Sequence, residues 1–62
     1  MTAIFLNDPD LTIAMTALPD GAELVVTGDP AAVDDAVAEI IRDVPAEAIE
    51  STETTTALTV AA

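Results

Sequence analysis

The sequence predicts an α+β domain: a four- to five-stranded, mostly antiparallel sheet with one helix on one face, in the order β-β-β-α-β-β. Three observations predict it. Residues 11–18 and 22–27 alternate with period two, as half-buried strands do. Residues 30–43 repeat apolar side chains at i, i+3 and i+4, as a helix with one buried stripe does. The chain has 62 residues, so residues 1–62 form one domain at most.

The first strand runs over Ala3 to Leu6 and turns through Asn7-Asp8-Pro9-Asp10. In the next, Leu11, Ile13, Met15 and Ala17 alternate with Thr12, Ala14, Thr16 and Leu18. Pro19-Asp20-Gly21 joins it to a third, where Ala22, Leu24 and Val26 alternate with Glu23, Val25 and Thr27. Gly21 can take the left-handed conformation that a tight loop demands.

The helix begins after Asp29, at the N-cap, with Pro30 as its first residue. Val33, Ala36, Val37, Ile40, Ile41 and Val44 form the buried stripe, and Asp34, Asp35, Glu39, Arg42 and Asp43 the wet one. Asp34 and Asp35 suit the positive end of the helix dipole and Arg42 the negative end. Pro45 stops the helix. Beyond it, Thr55 to Ala61 reads as a strand. Residues 48–52 read either as a short strand hairpinned to it around Glu53-Thr54 or as an irregular connection.

The sheet face away from the helix would present Thr12, Ala14, Thr16, Val25, Thr55, Ala57 and Thr59. Two readings compete for it: a water-covered threonine face, or an interface with a second copy. Strands so poor in charge are weakly defended against edge pairing. The core is also thin. Hydrophobic residues make up 52% of the chain, but most are Ala and Val, and Phe5 is the only aromatic. At this size burial and ordering entropy nearly cancel. With no cysteine for a disulfide, a homodimer is the expected source of further burial.

Charge narrows the function. Twelve acids face one base, Arg42, for a net charge of −11. Such a surface repels nucleic acid and anionic membranes. It also opposes compaction unless salt screens it, the Debye length being ~3 Å at 1 M. The composition, acid-rich and free of lysine with abundant Ala, Val and Thr, resembles that of proteins from extreme halophiles. The longest uncharged stretches, 11–19 and 54–62, fall well short of the ~20 residues of a spanning helix. No basic residue precedes an apolar run near the N-terminus, so the expected location is cytoplasmic.

Chemistry is poorly provided for. There is no His, Cys, Lys, Tyr or Trp, and Ser51 is the only serine, with no base to activate it. Asp34 and Asp35 read as a solvated helix surface rather than an acid–base pair. Asp8-Pro9-Asp10 is turn chemistry, without the glycine-containing acidic loop of a calcium site. Gly28-Asp29-Pro30 leads into a helix N-terminus, but Asp29 would repel phosphate. No catalytic residue, metal or cofactor is expected, and Asp29 and Pro30 are read as a helix cap.

The run Pro19-Asp20-Gly21-Ala22-Glu23-Leu24-Val25-Val26-Thr27-Gly28-Asp29-Pro30-Ala31-Ala32-Val33-Asp34-Asp35 resembles the second strand and following helix of the TusA/SirA sulfur carriers, and Ile49 to Val60 could continue the likeness. The same strand-Gly-helix string resembles the end of a KH domain. The carriers' Cys-Pro motif and first helix are missing, as are the KH glycine loop and basic surface, so neither persulfide chemistry nor RNA binding is implied. The expectation is a noncatalytic acidic protein acting through protein–protein contacts or regulation in a high-salt cytoplasm. The alternatives are an acidic inhibitor that mimics nucleic acid, which would need carboxylates spaced like phosphates, and a degenerate sulfur-carrier-like module.

Overall fold

The computed structural model describes the backbone of residues 2–61 and the side chains of residues 3–61. Five strands and one helix follow the chain as β1 (Thr2–Asp8), β2 (Leu11–Leu18), β3 (Gly21–Gly28), α1 (Pro30–Asp43), β4 (Ala46–Ser51) and β5 (Thr55–Ala61). They form one antiparallel sheet in the order β1-β2-β3-β5-β4. The α+β class and the element order agree with the sequence reading. Residues 48–51 of the undecided stretch at 48–52 belong to a strand, β4, which starts two residues earlier and leaves Thr52 outside.

Both helix ends are set by proline. A residue before proline is pushed to extended backbone. Asp29 precedes Pro30 at φ −64° and ψ 134°, and Val44 precedes Pro45 at φ −133° and ψ 126°. The helix is therefore confined to the residues between. Asp29 stands at the N-cap, where its carbonyl accepts a hydrogen bond from the Val33 N–H at 2.9 Å. Asp29 and Pro30 thus hold the cap and first helical positions expected of them, though the Asp29 side chain makes no capping bond. The acids of the helix begin in its second turn, because Pro30, Ala31 and Ala32 fill the first.

The helix lies on β3 and β5. Val33 meets Val26 and Leu58 in a fully buried centre, ringed by Leu11, Ile13, Leu24, Ala36, Val37, Ile40 and Ala46. Ile41 and Val44, expected in the buried stripe, are 51% and 40% exposed. A helix resting on a sheet buries only the arc that faces it, and Ile41 falls outside that arc; Val44 lies beyond the helix, at its C-cap on extended backbone. Among the described residues, no helix is long and apolar enough to cross a membrane.

The two glycines of β3 act through close approach. Gly21 has φ 159°, nearly extended, so the left-handed turn conformation open to it is not adopted. Instead, a Cβ there would collide with the Val60 carbonyl. At Gly28 a Cβ would collide with the Asp10 carbonyl, where the chain folds back so that the Asp29 N–H donates to that oxygen at 2.8 Å. The turn before β2 is tighter than expected, since β1 continues through Asp8 and leaves only Pro9-Asp10 between the strands.

Candidate functional site

Strand register decides which side chains share a face. Ala14 opposes Val25, which opposes Ala57; Thr12 opposes Thr27, which opposes Thr55; Thr16 opposes Glu23, which opposes Thr59. All seven residues expected on the helix-free face therefore lie together there, each half-buried, and among the described residues no other element covers them. The face also includes two central residues missing from that set, Glu23 and Thr27. The alternation of residues 22–27 signalled both, because Glu23, Val25 and Thr27 must point the same way.

Hydroxyls on this face satisfy one another. The Thr27 hydroxyl donates to the Thr54 carbonyl at 3.0 Å and lies 2.9 Å from the Thr55 hydroxyl. Such cross-strand threonine pairs stabilise a sheet while leaving its surface tolerant of water or of another surface. Beside them, Glu50, Thr52, Thr55 and Ala57 line a shallow cavity of about 210 Å³. Ser51 has a structural partner as well: its hydroxyl lies 3.1 Å from that of Thr56, the buried polar residue of the core layer.

The sheet edges are better defended than their composition suggests. In β1 the register shifts between Ile4 and Leu6, and in β4 between Ala48 and Glu50. Each outer strand thus has a bulge, at Phe5 and at Ile49, and bulges disrupt the ladder that an incoming strand would extend. Phe5 and Ile49 are left 62% and 61% exposed.

A second surface lies on the helix side, where α1 leaves part of the sheet bare. Between the helix and the β1–β2 hairpin runs an open groove of about 410 Å³. Leu6, Leu11 and Ile13 form its apolar floor, and the small residues Ala32 and Ala36 its helix wall. Two exposed carboxylates, Asp35 and Glu39, one helical turn apart, stand along its rim.

No three acidic side chains among the described residues converge into a cation site. The acids are distributed over β1, β3, β4, the helix and the turns, each largely facing water apart from half-buried Glu23. Comparison of the chain with protein-family models, with curated proteins and with solved structures gives no match.

Proposed function

We propose that this protein is a noncatalytic association module that pairs with a second copy through its helix-free sheet face, in a salt-rich cytoplasm. The observation that supports this most is that face: half-buried Thr, Ala and Val spanning β2, β3 and β5, without a covering layer. Two sheets packing face to face lie about 10 Å apart, and small side chains such as Ala14 and Ala57 suit that approach. The residue set argues in the same direction, since a chain without His, Cys, Lys or Tyr offers only carboxylates for proton transfer. Spread acidity fits a halophilic surface better than a row of phosphate mimics.

Glu23 sets a limit on the pairing. A buried carboxylate without a partner costs several kcal/mol or more, so Glu23, on the central strand between Thr16 and Thr59, weakens the contact. Sedimentation in multimolar KCl tests the proposal. The wild type should sediment as a dimer, Ala57→Glu as a monomer, and Glu23→Gln as a dimer several-fold tighter than wild type. A wild-type chain that stays monomeric at high concentration sinks the pairing. Capture of a DNA- or RNA-binding protein that oligonucleotide displaces would overturn the reading in favour of mimicry.

A further inference from the structure

The helix side of the sheet has room for a second helix. Five strands spaced by roughly 4.8 Å span about 19 Å between their outer axes, whereas a helix with its side chains is about 10–12 Å across. One helix therefore covers about half of such a sheet. Here α1 takes the β3–β5 half, and the groove over β1 and β2 is left about one helix wide, with a continuous apolar floor of Leu6, Leu11 and Ile13. Ala32 and Ala36, one turn apart on α1, allow another backbone to approach closely.

Charge selects the occupant. Asp35 and Glu39 line the helix rim, and exposed Asp8, which opposes Leu11 in the sheet, shares the face of the floor just outside the groove lining. A second copy is disfavoured there, because the exposed side of its own helix would bring Asp34, Asp35, Glu39 and Asp43 against those acids with only Arg42 to offset them. We propose that the groove between α1 and the β1–β2 hairpin seats one amphipathic helix of a basic partner protein. Its apolar stripe rests on Leu6, Leu11 and Ile13, and its flanking Lys or Arg side chains meet Asp8, Asp35 and Glu39. This seat is on the opposite face from the proposed dimer contact and does not depend on it.

The test uses labelled model peptides and fluorescence anisotropy, at the lowest salt where circular dichroism shows the protein folded. The probe has Leu at i, i+3, i+4 and i+7 and Lys elsewhere. One control keeps the Leu stripe but replaces Lys by Glu, and another keeps the composition but alternates Leu and Lys. The wild type should bind the probe saturably, one peptide per chain, and well above both controls. Asp35→Lys with Glu39→Lys should weaken probe binding about tenfold, the scale of two rim ion pairs, and improve binding of the Glu peptide. Asp20→Lys with Glu53→Lys changes the net charge equally, at turns outside the groove lining, and should leave probe binding within about twofold. Equal loss in both double variants, or equal binding of the alternating peptide, would reduce the effect to general charge attraction and overturn the proposal. Tighter self-association of Asp35→Lys/Glu39→Lys, without probe binding by the wild type, would assign the groove to a second copy instead.

Discussion

The two faces of this sheet follow the same alternation yet are built from different side chains. The helix face gathers Leu11, Ile13, Leu24, Val26 and Leu58, long enough to reach a layer above them. The open face gathers Thr12, Ala14, Thr16, Val25, Thr55, Ala57 and Thr59, short side chains among which the Thr55 hydroxyl pairs across strands with that of Thr27. The difference teaches that one face is built to hold a helix and the other to lie flat against water or a like surface. It also locates the protein's weakness: among the described residues, only Val26, Val33 and Leu58 form a fully buried apolar centre.

The largest expected effect breaks the comparison at Leu58. Leu58→Ala removes the largest of the fully buried side chains and should cost about 2–5 kcal/mol, a large share of the roughly 3–9 kcal/mol typical for a chain of this size. Thr59→Ala, next in sequence but on the open face, should change stability by less than about 1 kcal/mol. Urea unfolding of both variants checks the contrast, and equal losses would mean that the two faces bear equal weight.

Next in size is the response to salt, which acts on both faces at once. Twelve acids against one base repel one another, and a thin core has little to set against that repulsion. Thermal melts in low and in multimolar KCl should differ by roughly ten degrees or more, with the higher melting temperature in salt. A melting temperature independent of salt would remove the physical basis for a halophilic setting.

The smallest expected effect sharpens the role of the helix that divides the faces. An N-cap side chain that bonds the first turn is worth about 1 kcal/mol. Asp29 makes no such bond, and Pro30 already fixes the helix start. Asp29→Ala should therefore cost less than about 0.5 kcal/mol by thermal melting. A loss near that of a bonded cap would show that the carboxylate reaches the first-turn N–H groups in solution.

Much of the fold was legible because its signals are local. Period-two alternation in 11–18 and 22–27 marked β2 and β3, and the two prolines bracketed α1 at 30–43. The seven open-face residues followed from the same parity. Other features needed partners distant in sequence. The bulges at Phe5 and Ile49 are properties of two strands in register, and nothing in either strand alone announces them. Gly21 reads as a turn residue until the Val60 backbone, far along the chain, is seen against it. The groove was hidden for the same reason: Leu6, Ile13 and Ala36 belong to three separate elements, and only packing shows that α1 rests mainly on β3 and β5.

The sequence by itself determined the class of the fold, the limits of its helix, the side chains on each face and the poverty of its chemistry, because alternation, proline and residue type act over a few neighbouring positions. Only the tertiary structure decided the strand order β1-β2-β3-β5-β4, the half of the sheet that α1 covers, the exposure of Ile41 and Val44, and the acid-rimmed groove. Those depend on how wide a sheet is relative to a helix, and on which surfaces remain once the two have packed.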